Sequence, residues 1–329
     1  MALAATVRNR LDFGPQERTQ SVQEINAMTL MRRREFLRDS AIVTLAVSAL
    51  GPISARSLDF PAVVSPDWLS QNVGSPGLAV LDIRSAEQYK KGHIPGAVHA
   101  PVSSWAVSRD GLSVELPTES ALRELLGRLG LKPEARIVVV NRNETDFNRA
   151  DAMRVAWTCM TAGIENTAVL DGGHNRWVKE IKSVSTLDTS VQPGVYEGKM
   201  NGSLAVPKSY VLNRIGKSLI VDTRLPEDYF GIASKPGHIK GAVNLPAPWI
   251  FAGDGTIRKE EDLRAMAVGV LGSNSSKEVI LYCGVGGFAA AWWFVLTRIL
   301  GYRNAKVYDG SIEEWVKDPT SPVSRYTWN

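Results

Sequence analysis

Two cysteines and four histidines are all that the 329 residues contain. Cys159 and Cys283 stand far apart, and the histidines are not gathered near them at the short spacings of a zinc site. No metal is expected, and nothing in the spacing favours a disulfide. Charge of one sign is also scarce. The chain has 38 Lys and Arg against 34 Asp and Glu, a formal net charge of +4. Even that excess is local: residues 1–57 hold eight Arg, no Lys and five acids, which leaves 30 basic and 29 acidic residues for the rest. So neutral a body argues against a nucleic-acid footprint. Long apolar runs are missing as well, since the uncharged stretch 40–54 is too short for a comfortable membrane span. What remains is 44% hydrophobic and 22% charged, ordinary globular composition, and the length suits two domains.

The leader has its own logic. Arg32, Arg33 and Arg34 precede Phe36-Leu37-Arg38, the uncharged run follows, and small residues stand at Ser54 and Ala55. A basic, then apolar, then small-residue layout is that of an export signal. The string Arg33-Arg34-x-Phe36-Leu37-Arg38 resembles the twin-arginine motif, whose signals are read by a receptor. The expectation is a periplasmic protein, with translation starting at Met28 or Met31 and no stable membrane span after export. Residues 1–57 are therefore set apart from the fold.

The rest of the chain reads twice. Residues 78–101 match 218–246, so that Asp82 pairs with Asp222, Arg84 with Arg224, Tyr89 with Tyr229 and His93 with His238. Further on, Asp171-Gly172 pairs with Asp309-Gly310, and Trp177 with Trp315. A period this long means two whole domains rather than a solenoid unit. We assign 58–185 to the first, 186–203 to a linker and 204–329 to the second. In both copies short runs rich in Val and Ile, without alternation, read as strands covered on both faces. These are Ala79–Ile83, Ile137–Val140, Ala168–Leu170, Leu219–Val221, Val279–Tyr282 and Lys306–Tyr308. Helical stretches at 119–129, 149–162, 260–270 and 288–300 lie between them. The predicted fold is α/β: two domains, each a mainly parallel sheet flanked by helices.

One loop stands out. A strand ends at Cys283, Gly284-Val285-Gly286-Gly287 follows, and a helix begins near Phe288. Glycines let the backbone turn sharply and aim its N–H groups, with the helix N-terminus, at one point. Thiolates are favoured in such a place, and the thiolate is the nucleophile. Cys159, inside a helical pattern, reads as structural. In the first copy Asn141 stands where Cys283 stands, in a loop with no glycine and with Glu144 and Asp146. That copy cannot run the same chemistry and is expected to pack against the second and wall its site.

This pattern resembles the rhodanese superfamily in its tandem-domain form. The residues that carry the likeness are Asp222-x-Arg224, Gly237-His238-Ile239-x-Gly241-Ala242, the Cys283 loop and Asp309-Gly310 before Trp315, with a weaker echo in the first copy. The resemblance implies a sulfurtransferase. Cys283 takes a sulfane sulfur from a small donor, thiosulfate or 3-mercaptopyruvate, and passes it to cyanide, a thiol or a protein acceptor. Gly284, Val285, Gly286, Gly287 and Phe288 would bind the anionic sulfur, and Arg224 would be the nearby cation. No cofactor is required, because the thiol itself carries the sulfur. The loop departs from the family's basic version, with Gly284 and Val285 just after the cysteine and Asp228 where a second Arg often stands. It fits neither donor cleanly and reads as apolar.

Two other classes compete. Phosphatases with a loop cysteine need an Arg closing the loop, and none occurs from Gly284 to Val295. A persulfide carrier that serves a protein partner without turnover is compatible with the apolar loop. His238 and His93 read as structural hydrogen-bonders, since His93 sits in the copy that lacks the thiol.

Overall fold

The computed structural model describes residues 60–180, 183–233 and 236–328. The leader with its arginine string and the expected cleavage region lies outside the described residues. The described residues form one compact unit.

The unit contains two five-stranded sheets. The first holds β1 (Val63–Val64), β2 (Leu78–Asp82), β3 (Val98–His99), β4 (Arg136–Val140) and β5 (Thr167–Leu170) in the order β1-β5-β4-β2-β3. The second holds β6 (Ala205–Val206), β7 (Leu219–Asp222), β8 (Val243–Asn244), β9 (Val279–Tyr282) and β10 (Ala305–Tyr308) in the same order, β6-β10-β9-β7-β8. All neighbours in both sheets are parallel, so each connection has to cross over a face of the sheet. The helices supply those crossovers. The strands are apolar on both sides for that reason. Ile137 and Val139 of β4 face one core while Val138 and Val140 face another. In β9 Val279 and Leu281 are divided from Ile280 and Tyr282 in the same way.

Two helices occupy equivalent places after the central strands: α1 (Asp146–Thr161) and α2 (Gly287–Phe294). Thr145 caps α1 by accepting the Asn148 N–H. Both helices are buried on nearly every side, α2 from Phe288 through Phe294. In α2, which is apolar all round, this burial is required. Each packs against strands of its own sheet and against the other helix. Trp157, Trp292 and Trp293 thereby belong to a single core shared by both halves. Past Phe294 the predicted helix loosens into a π turn, Val295–Ile299.

The halves also exchange hydrogen bonds from backbone N–H groups to aspartate side chains. A hairpin of the first half, Val107–Arg109 with Leu112–Glu115, reaches across, and the Leu116 N–H donates to Asp309 at 2.7 Å. In return the Ile257 N–H donates to Asp171 at 2.8 Å. Each half thus serves the aspartate of the other's Asp-Gly turn.

The stretch 186–203 is no slack spacer, although its regular structure is one 3-10 turn, Gly202–Leu204. Tyr196 is buried and donates to the Ala162 carbonyl at 2.7 Å, while Gly194 and Asn201 donate to Gly127 and Thr161. Side chains at Gly127 and Gly163 would collide with the carbonyls of Gly194 and Lys199. The strap lies backbone on backbone, and only glycine leaves room for that. Among the described residues no helix is long and apolar enough to cross a membrane.

Candidate active site

Cys283 leaves β9 at the end of a strand that is buried throughout, and is itself only 2% exposed. The chain then turns at Gly286, whose φ of 92° lies in the left-handed region that glycine tolerates. This turn starts α2 and brings the Gly286 N–H to 3.0 Å from Cys283 Sγ. The loop is bolted to the segment after β10. The Cys283 N–H donates to Ser311 Oγ at 3.0 Å, and the Cys283 and Gly284 carbonyls accept from Ile312 and Glu313 at 3.1 Å. Of the five loop residues expected to face the sulfur, Gly286 makes the hydrogen bond to it. Gly284, Val285, Gly287 and Phe288 line the cavity beside it.

Gly286 has no room for a side chain. A Cβ there would come within 2.5 Å of Asp309 Oδ1 and 2.9 Å of Arg154 Nη1. Arg154 comes from α1, in the half without the thiol. It is almost fully buried, pairs with Asp309 through both terminal nitrogens (Nη2 to Oδ2 at 3.1 Å) and lies over the Trp157 ring. An ion pair between the halves therefore backs the turn that carries the donor N–H.

In front of Cys283 opens a cavity of about 740 Å³. The first half contributes Val114, Phe147, Ala150 and Asp151 to its walls, and the second contributes Leu225, Ile312 and Val316. The walls are mainly apolar, as the sequence predicts. Phe147 of α1 stacks on Phe288 of α2 with ring centres 4.6 Å apart. Burial raises the Asp151 carboxyl to about 6, against the opposing influence of an Asn148 hydrogen bond and the Arg154 charge. Behind the loop Glu115 is raised to about 7 by burial and then by Asp309, with Arg109 and Arg154 opposing.

Arg224 borders the same cavity, but its guanidinium is already engaged. Nε donates to Asp222 at 3.0 Å and Nη2 to Asp222 and to the Gly237 carbonyl at 2.6 Å. Burial works against its charge, yet the Asp222 contacts outweigh that and hold its pKa above the usual value. Arg84 makes the same clamp with Asp82 and the Gly92 carbonyl in the half without the thiol. A clamp repeated where no thiol stands serves the fold. His238 and His93 are likewise structural: each stacks on its tyrosine, Tyr229 or Tyr89, and its Nδ1 meets that tyrosine's carbonyl.

Cys159 is fully buried in α1, and burial pushes its thiol well up. Both thiols are free. At the equivalent of the cysteine loop, the Asn141 side chain donates to the Asn148 carbonyl at 2.7 Å. The turn at Gly255 packs so closely on Asn143 and Arg149 there that a Cβ would sit within 3.0 Å of both. Sequence reasoning did not find Arg154, Asp151, Phe147 or Ser311. The first three lie in the other copy, and only the packing of α1 on α2 brings them to the thiol. Ser311 carried a faint signal, because it follows the Asp309-Gly310 pair.

Both halves of the chain are similar to known proteins. Residues 65–180 and 208–318 each match the family model described as Rhodanese-like domain. A relative in Thermus thermophilus, named sulfur carrier protein TtuD, is 32% identical over 80% of this chain and 96% of its own. A thiosulfate sulfurtransferase of Pseudomonas aeruginosa is 30% identical over 80% of this chain and 97% of its own. Among solved structures, wild-type EanB superposes with a TM-score of 0.71 at 22% identity, covering 81% of this chain and 69% of that one. That last likeness concerns the fold alone. With both halves matched by one family model, the chain belongs to the family of rhodanese-like domain proteins, in tandem form.

Proposed function

We propose that this rhodanese-type sulfurtransferase works through a persulfide on Cys283. The observation that carries the reading is the Gly286 N–H, 3.0 Å from Sγ at the floor of a cavity. In the first step the Cys283 thiolate attacks the sulfane sulfur of a donor. The donor's bond to that sulfur breaks, its electron pair leaves with the remainder, and a new S–S bond forms on Cys283. In the second step an acceptor, cyanide or a thiol, attacks the outer sulfur, and Cys283 leaves as thiolate. This is two-step covalent catalysis that consumes no oxidant or reductant. A donor N–H already aimed at the sulfur stabilises the anion in both resting states. Gly284, Val285, Gly287 and Phe288 hold the substrate's body, and Arg224 forms part of the wall while clamped to Asp222.

Intact-mass measurement after incubation with a donor tests this. Wild type and Cys159→Ser should each gain one sulfur atom, and Cys283→Ser none. A sulfur atom retained by Cys283→Ser would overturn the proposal. The Thermus relative's name favours a second reading, a carrier that passes its sulfur to a protein. Multiple turnovers with a small acceptor such as cyanide argue for the enzyme over that carrier. We further propose that residues 28–57 export the protein by the twin-arginine route, on the strength of Arg33-Arg34 before an uncharged run. A reporter fused behind them should reach the periplasm, and should fail to with Arg33→Lys plus Arg34→Lys. Export that survives the double change would argue against the route.

A further inference from the structure

We infer that Asp151, on the helix of the half without the thiol, takes the proton from an acceptor thiol as that thiol collects the sulfur carried by Cys283. The inference rests on the Cys283 persulfide and concerns its discharge.

A thiol reacts as its thiolate, so an acceptor thiol must lose a proton on its way to the carried sulfur. The floor of the cavity offers nowhere to put it. Gly286 presents an N–H, which is a donor, and Arg224 is a cation clamped to Asp222. Among the described lining residues the choice falls to the carboxylates. Asp146 is paired with Arg149 at 2.7 Å, and Glu313 accepts two hydrogen bonds from Ser113 at 2.6 and 2.9 Å. Asp228 interacts with the Arg224 guanidinium. Asp151 is engaged differently. Asn148 supplies it a hydrogen bond, and Arg154 acts on it through charge alone while gripping Asp309. An ionised carboxyl has about four lone-pair sites, so one such bond leaves it able to accept a proton.

The register of α1 places that carboxyl. Phe147, Ala150 and Asp151 are three and four residues apart, hence on one helix face, and all line the cavity. About one turn before Asp151, Phe147 stacks on Phe288. About one turn after it, Arg154 Nη1 stands 2.9 Å from where a Cβ of Gly286 would be. Asp151 therefore lies along the helix between two contacts with the cysteine loop. Burial there raises its carboxyl to about 6, with Asn148 and Arg154 opposing. Such a group is ionised near neutral pH, and a base whose pKa lies close to the working pH transfers protons well.

In this step the acceptor's S–H bond breaks, and its proton goes to the Asp151 carboxylate. The acceptor's sulfur attacks the outer sulfur of the persulfide. A new S–S bond forms as the bond to Cys283 breaks, and that electron pair returns to Cys283 Sγ. Asp151 then gives its proton to the departing persulfide or to water. Loading from thiosulfate moves no proton and makes no use of the group.

Two uncharged acceptors separate proton transfer from access. Cys283 is loaded from thiosulfate, freed of donor and discharged in single turnovers, with intact mass following the sulfur left on the protein. 2-Mercaptoethanol has a proton to lose. Tris(hydroxypropyl)phosphine has none and takes the sulfur through its lone pair as a phosphine sulfide. In wild type the thiol rate should rise with pH through about 6 and then level off up to pH 8. In Asp151→Asn the ratio of thiol to phosphine rates at pH 7 should drop by about 100-fold. Its thiol rate should climb about tenfold per pH unit with the thiolate fraction, with no inflection near 6. Asp151→Glu should recover part of the ratio. An unchanged ratio in Asp151→Asn, or a wild-type thiol rate that climbs without levelling, overturns the role of Asp151 and leaves the persulfide reading standing. Wild type that gains no sulfur from any donor overturns both.

Discussion

Asp151 is a carboxylate kept in a place that disfavours its charge. Burial lifts it from 3.8 to about 6, so the folded protein holds this proton more tightly than the unfolded chain does. Stability from that source is present in full below about pH 4 and is lost as pH rises through about 6. A shift of about two units corresponds to roughly 3 kcal/mol at most. Asp151→Asn, which keeps the size and removes the charge, should therefore be more stable than wild type at pH 8, by up to about 3 kcal/mol. The advantage should fade toward pH 4. Urea melts at the two pH values check this, and an advantage that does not depend on pH would contradict it. The sequence offered no sign of such a residue. Cys283 was legible because a strand and three glycines frame it within one short string. Asp151 and Arg154 are ordinary members of a helix in the copy without the thiol, and nothing adjacent in the chain marks their meeting with Cys283.

Between elements, the meeting of α1 and α2 sets up the chemistry. Arg154 and Asp309 form a buried pair behind Gly286, and Trp157 covers the guanidinium. Removing one member of such a pair leaves the other charged and uncompensated, at a cost of about 3–5 kcal/mol. Arg154→Leu should lose about that much stability, and Cys283 should be alkylated several-fold more slowly at neutral pH, since the Gly286 N–H loses its backing. Arg154→Lys should recover part of the stability but less of the reactivity, because an ammonium cannot reproduce a two-point grip. Iodoacetamide kinetics beside urea melts would show it. Unchanged alkylation in the folded Arg154→Leu protein would mean that the pair does not support the loop. At this scale six of the ten strands in the two sheets were readable, within a residue or two at each end, from their unbroken Val and Ile runs; the two-residue strands β1, β3, β6 and β8 were too short to leave such a run. The π turn at Val295–Ile299 was not, because an extra residue per turn leaves no mark in composition.

For the molecule as a whole, the repeat gave away two domains of like plan, and the two sheets share one strand order. Hidden from the repeat was how the copies face each other. The strap at 186–203, the exchanged N–H bonds to Asp171 and Asp309 and the shared tryptophan core all depend on contacts between residues far apart in sequence. That shared core bears on heredity. Asn141 in place of a thiol looks like a retired site, and a duplicated unit freed of its task is ordinarily expected to drift. Here the unit without the thiol still supplies Arg154 behind the other's loop and Phe147, Ala150 and Asp151 to its chamber. Lacking a nucleophile does not detach this half from the site. A change on the inner face of α1 is a change to the chamber in front of Cys283, whichever half it is counted in.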